Sequence, residues 1–265
     1  MNTPRRSLFL ALLVGAAPAC VHHTDFSKLV TPTGPALLQE VDGVGAQLSR
    51  VKGSARVSVQ ARQGGGETGA FVAARAPGEV HLELLDFFGS PSQVLVADGR
   101  TFGLFQRDKA TFFTGPATAA AVSRLLPVHL SADELVAILL GRAPRLPGEP
   151  VSVEPDGDAD AYRVTLVDGD RRQTLWVDPV SRRVLRSLLE GPAGYELVFE
   201  RVKDTAGIQF PRKVTFKDPS ATVVLRWSDD DLELDGTLEP ALFRVGAPPG
   251  ARVVEVADGA RPGAG

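Results

Sequence analysis

The chain contains one cysteine, one methionine, two tryptophans, two tyrosines and four histidines in 265 residues. A single thiol cannot form an internal disulfide, a thiolate zinc site or an iron–sulfur cluster. Two of the histidines, His22 and His23, sit together near the start, and neither His81 nor His129 has clustered carboxylates beside it. Both read as structural or surface residues. Lysine and arginine number 29 against 32 acids, for a net charge of −3 with no basic block. That balance argues against nucleic acid as a partner. There is no P-loop and no GxSxG, and Gly43-x-Gly45 lacks the third glycine of a dinucleotide fingerprint. Asp229-Asp230-Asp231 lacks the alternating spacing of a calcium loop, and Ser90 has no implied base. No metal, cofactor or catalytic residue is expected, and the chain is not read as an enzyme.

Long apolar runs are missing too, with one short exception at the start. Arg5 and Arg6 precede the apolar stretch Leu8 to Val14, and Gly15-Ala16-Ala17-Pro18-Ala19 leads to Cys20. A charged region, a short apolar region and small residues form a secretory signal. The stretch is too short to cross a ~30 Å hydrocarbon core as a helix. The only cysteine follows the small residues, so the segment resembles a lipobox with Ala19 at −1 and Cys20 as the acylated +1 residue. Ala17 at −3 and Pro18 at −2 depart from the commonest pattern. A secreted protein with an incidental cysteine is the competing reading. No acid follows Cys20, which favours the outer membrane as destination. Residues 1–19 are expected to be removed, and 20–35 to form an acylated tether.

Beyond the tether, Ala36 to Leu48 reads as a short helix, after which the dominant period is two. Ala55, Val57, Val59 and Ala61 alternate with Arg56, Ser58, Gln60 and Arg62. The glycine triplet 64–66 reads as a break, followed by strands Gly69–Ala74, Val80–Leu84, Val94–Ala97, Thr101–Phe105 and Ala110–Phe113. Asp98-Gly99 is a tight-turn signal. The period then changes: Thr118 to Leu126 has helical composition. Ser131-Ala132-Asp133-Glu134 is a capping box for a helix that stops at Gly141. After a Pro-rich link (144–150), eight more short strands run to Leu234, separated by Asp-Gly, Asp-Pro and Gly-Pro turns. Adjacent short strands imply an antiparallel meander, which must curl to bury its apolar face. The expected fold is mainly β: a curved antiparallel sheet forming a half-open barrel, with short helices as a lid over an apolar cavity.

The stretch Val51 to Leu146 resembles the LolB branch of the LolA/LolB superfamily, the outer-membrane lipoprotein receptors. The carrying motifs are Leu84-Leu85-Asp86-Phe87-Phe88-Gly89-Ser90, the Asp98-Gly99 hairpin, Phe112-Phe113-Thr114-Gly115, and Leu130-Ser131-Ala132-Asp133-Glu134-Leu135 through Leu139-Leu140-Gly141. The later Trp176-Val177-Asp178-Pro179 hairpin also looks like a unit of this superfamily. The resemblance implies a half-barrel domain over residues 36–257, with 258–265 as a disordered tail. It further implies acyl chains of client lipoproteins as ligands, a LolA-like periplasmic carrier as partner, and a monomer moored by its N-terminal lipid to the periplasmic face of the outer membrane. By the same resemblance Phe87 and Phe88 stand in the membrane-insertion loop, with Phe88 where the family usually has Leu. Phe71, Leu82, Leu84, Val94, Val96, Leu135, Ile138 and Leu139 are the expected cavity lining, although the pattern alone does not say which sheet face looks inward. Two other readings stay open: a lipid-binding sensor or regulator, and a structural envelope-assembly lipoprotein.

Overall fold

The computed structural model describes residues 24–62, 64–123 and 128–258. One sheet of fifteen strands dominates it. The first six strands are β1 (Arg50–Ala61), β2 (Gly64–Arg75), β3 (Glu79–Leu85), β4 (Pro91–Asp98), β5 (Thr101–Gln106) and β6 (Thr111–Pro116). After the central helices come β7 (Pro150–Asp156), β8 (Ala161–Asp168), β9 (Arg171–Val177), β10 (Val184–Glu190), β11 (Tyr195–Thr205), β12 (Ile208–Lys217) and β13 (Ala221–Trp227). Two short strands close the list, β14 (Glu233–Leu234) and β15 (Arg252–Glu255). The strand order is β15-β6-β5-β4-β3-β2-β1-β13-β12-β11-β10-β9-β8-β7, with β14 on the start of β1. Two meanders, β1–β6 and β7–β13, are thus joined edge to edge by pairing β1 with β13, from Ala55↔Trp227 to Ala61↔Ala221. All pairings are antiparallel except β15 on β6. The sheet is curved and open, ending at β7 and β15.

The glycine triplet does not break the first hairpin. Gly64, Gly65 and Gly66 begin β2 and pair with Ala61, Gln60 and Val59. A Cβ on Gly65 would lie 2.4 Å from the Val59 carbonyl oxygen, so the triplet permits close strand approach where a break had been expected.

Among the described residues three α-helices lie against the sheet: α1 (Gly34–Gly45), α2 (Ala119–Val122) and α3 (Ala132–Leu139). The first starts two residues before the expected Ala36, because Pro35 is tolerated in a first turn that needs no N–H from it. Part of the expected tether is therefore helical. Its preceding residues are also docked: Phe26 meets Tyr162 edge-on at 5.4 Å, and the Thr24 amide donates to Asp160 at 2.7 Å. Residues 1–23, with Cys20, lie outside the described residues, as do 259–265. Asp258 accepts a bond from the Thr118 hydroxyl. The capping box of α3 forms as read from the sequence. The Ser131 amide donates to Glu134 at 2.7 Å and the Glu134 amide to the Ser131 hydroxyl at 3.2 Å. Gly141 ends that helix at φ +73, and a Cβ there would press on Pro211 of β12 at 2.9 Å.

The core divides in two. On β1–β6 the inner face carries Val51, Ala55, Val57, Ala70, Val72, Ala74, Val80, Leu95, Ala97, Phe102 and Leu104, covered by Ala121, Val122, Val136 and Leu139. On β8–β12 it carries Tyr162, Val164, Leu166, Leu175, Val177, Tyr195, Leu197, Phe199, Val214 and Phe216, covered by Leu37, Leu38, Ile138 and Leu146. Helix α3 supplies residues to both clusters. Buried Gln173 pins the Pro-rich link into the second one. Its amide oxygen accepts from the Leu146 amide at 2.8 Å, and its nitrogen donates to the Pro144 carbonyl and the Ser187 hydroxyl at 2.7 and 3.0 Å.

The outer face of β2–β4 is covered as well. After β14, Asp235 accepts from the Ser49 and Arg50 amides at 2.9 and 3.0 Å. The chain then crosses as a strap in which Leu238 and Phe243 pack on Ala73. His81 bridges the Leu242 carbonyl and the Glu83 carboxylate through its two ring nitrogens, at 2.9 and 2.8 Å. The strap ends as β15 against β6.

Candidate functional site

Strand register settles which of the expected lining residues share a face. Leu82 pairs with Val72 and Leu95, and Leu84 with Ala70, so Leu82 and Leu84 look inward with the first core cluster. Leu135 and Leu139 of α3 meet the same cluster, whereas Ile138 belongs to the second. Phe71 pairs with Glu83, and Glu83 with Val94, while Val96 pairs with His81. Phe71, Val94 and Val96 therefore stand on the outer face, where Phe71 packs beneath the strap. The eight residues do not line one cavity.

Most of the concavity is packed by side chains; Val72, Leu95, Phe102 and Leu104 are all 3% exposed or less. The space left beneath the helices is a cleft of about 400 Å³ between α1, α3 and the rims of β2 and β10. Its walls are largely apolar, including Val41, Val44, Val136, Leu175 and Val184, and it is also lined by Arg142, Arg145, Arg182 and Arg183. Arg145 pairs with Asp42 at 2.7 Å and Arg182 with Glu40 at 2.5 Å. Burial holds the Arg142 and Arg183 guanidinium pKa values below the ordinary arginine value. Sequence reasoning did not find this arginine group. Its members follow a helix stop and fill a turn, positions where charge is ordinary, and only the fold brings them together.

The second candidate lies at the opposite end of the strands. The β3–β4 hairpin turns through Asp86-Phe87-Phe88-Gly89-Ser90, and the two rings are 97% and 88% exposed. They stand edge to face at 5.5 Å. The turn itself is tightly tied: one Asp86 oxygen accepts from the Phe88 and Ser90 amides, both at 2.9 Å. The Asp86 amide donates to the Ser90 carbonyl at 2.7 Å, and Gly89 takes φ +77, which a side chain would resist. Arg107 of the neighbouring β5–β6 turn reaches the other Asp86 oxygen at 3.2 Å. A short polar loop this ordered holds two large apolar rings in water, where each has about 1.5–3 kcal/mol to gain from burial.

Trp227 is buried on the inner face against Phe210 at 5.9 Å, and Trp176 lies outside under the Arg186 guanidinium at 4.4 Å. The Asp229–Asp231 run is used structurally: Asp229 pairs with Lys203 and Arg212, and Asp231 accepts from the Ser54 amide and hydroxyl. Among the described residues no group of three or more metal-ligating side chains gathers. No helix among them is long and apolar enough to cross a membrane.

Solved structures share this arrangement at the level of fold. A LolA superfamily protein from Nitrosomonas europaea aligns with a TM-score of 0.55 at 14% identity, covering 81% of this chain and 98% of that one. The fold is LolA-like. A domain from Vibrio parahaemolyticus described as outer membrane lipoprotein-sorting aligns at 0.55 and 11% identity, covering 79% and 95%. A DUF1329 family protein from Desulfovibrio piger aligns at 0.56 and 13%, covering 81% and 98%. No protein-family model matches the sequence, and no curated protein sequence matches it. The LolA-like fold is thus shared at identities too low to carry residue roles with it.

Proposed function

We propose that this protein is a non-enzymatic, lipid-anchored protein of the bacterial envelope that holds acyl chains of lipoprotein cargo and hands them to the outer membrane. In this reading residues 1–19 are a signal peptide, Cys20 bears the acyl anchor, and 36–257 form one half-barrel domain. The observation that carries it is the ordered Phe87-Phe88 tip, an apolar probe on a LolA-like fold, remote from the helices. Bringing a ~16-carbon chain into water costs roughly 12 kcal/mol, so cargo crossing an aqueous space needs a dry host. The concave sheet under α2 and α3 supplies one once those helices shift, with Leu82, Leu84, Leu135 and Leu139 as its lining. The sorting description of the Vibrio domain supports the same direction. Transfer needs only a graded affinity, lowest in the donor and highest in the bilayer.

The test uses the mature chain with Cys20→Ala, so that no covalent lipid anchors it. It should float with vesicles of phosphatidylethanolamine and phosphatidylglycerol. Phe87→Ser with Phe88→Ser should cut that partitioning about tenfold or more without changing the melting temperature. In cells the same pair should leave lipoproteins mislocalised. Equal flotation of both forms sinks the reading and favours a structural envelope lipoprotein, to which the packed concave face is also suited.

A further inference from the structure

The cleft between α1 and α3 combines an apolar floor with arginines that have no counter-charge. Its floor is apolar, formed by Val136, Leu175 and Val184. Two of its four arginines, Arg142 and Arg183, make no side-chain hydrogen bond or ion pair among the described residues. The Arg142 Nε is buried and has no partner. The other two arginines are already neutralised by Asp42 and Glu40. Asp133 also borders the cleft, but it sits in the first turn of α3, where the helix N-terminus stabilises its charge. The cleft therefore keeps a positive excess over an oily floor.

Both guanidinium groups are partly withdrawn from water with no counter-charge beside them, which is costly. Planar forks of donors match carboxylate and phosphate oxygens in two-pronged geometry. The volume, about 400 Å³, falls within the ~300–1,000 Å³ common for small-molecule sites. Inorganic phosphate alone would leave the apolar floor uncovered, and a neutral amphiphile would leave the arginines unpaired. We infer that the cleft binds the oxyanion head of an anionic amphiphile at Arg142 and Arg183, with the first methylenes of its chain against Val136, Leu175 and Val184. The inference rests on the reading that the protein handles acylated molecules, and adds the charge of the head it selects.

The experiment is calorimetric titration of the Cys20→Ala mature chain with dodecyl phosphate, dodecyl maltoside and inorganic phosphate, each amphiphile below its micellar concentration. Dodecyl phosphate should bind about tenfold or more tightly than either of the others. Arg142→Gln with Arg183→Gln should lower its affinity to that of the maltoside while maltoside binding persists. Arg183→Gln alone should give a smaller loss and serves if the double variant does not fold. Equal affinity for the phosphate and maltoside amphiphiles, or a preference that survives the substitutions, overturns the inference and leaves acyl binding standing. Inorganic phosphate binding as tightly as dodecyl phosphate overturns the amphiphile assignment. No binding of either amphiphile overturns both this inference and the proposed function.

Discussion

The two meanders of the sheet solve burial differently. In the first meander the inner face is covered by α2 and α3 and the outer face of β2–β4 by the strap of residues 235–256, and small residues such as Ala55, Ala70, Ala73, Ala74 and Ala97 let those layers approach. In β8–β12 only the inner face is covered, by large rings and by α1. The outer face there carries cross-strand ion pairs, Arg163 with Glu154 at 2.6 Å, Arg186 with Glu196 at 2.7 Å and Lys213 with Glu200 at 2.7 Å. A sheet wrapped on both sides depends on distant chain segments for its stability. A sheet with one wet face depends mainly on its own neighbours.

That contrast can be broken in order of size. Phe243, 2% exposed, is the largest side chain of the strap core and also lies under the Arg75 guanidinium at 4.9 Å. Phe243→Ala should cost about 3–5 kcal/mol, measured by denaturant unfolding. Amide exchange should quicken in β2–β4 and stay unchanged in β8–β11; uniform quickening would show that the two halves are one cooperative unit. Gln173→Leu should cost about 2–3 kcal/mol, since the Leu146 amide and Pro144 carbonyl are left buried without their partners. Its exchange signature should fall on residues 143–149 and β9, sparing β2–β4. The smallest effect belongs to the shared element: Ser131→Ala removes the α3 cap and should cost about 1 kcal/mol. Exchange should rise in α3 alone, with both meanders protected; protection lost in either meander would make α3 part of that half.

The same contrast explains what could be read in advance. In β8–β13 the alternation of apolar and charged residues marks the inner face, because the other face meets water. The strand pattern and turns of that half are legible in the amino acids. In β2–β4 alternation carries no such mark: on the outer face Phe71, Val94 and Val96 are as apolar as Leu82 and Leu95 within, and Phe71 packs beneath the strap. The period fixed the strands there but not their sides. The Phe87-Phe88 loop was expected only through the family resemblance, whereas the capping box of α3 was legible from its own four residues. The arginine cleft was not, because its members come from α3's end and the β9–β10 turn, and no local pattern encodes their meeting.

The strap also sets an order of events. Residues 235–256 are made after every other strand, yet they complete the rear wall of the first hairpins, and β1 finds its second neighbour only when β13 exists. The beginning of the chain cannot reach its final form until nearly the whole polypeptide is present. The pairings β1–β13 and β15–β6 each close a long stretch of chain and are the slow steps expected here, whereas the hairpins between them join neighbours.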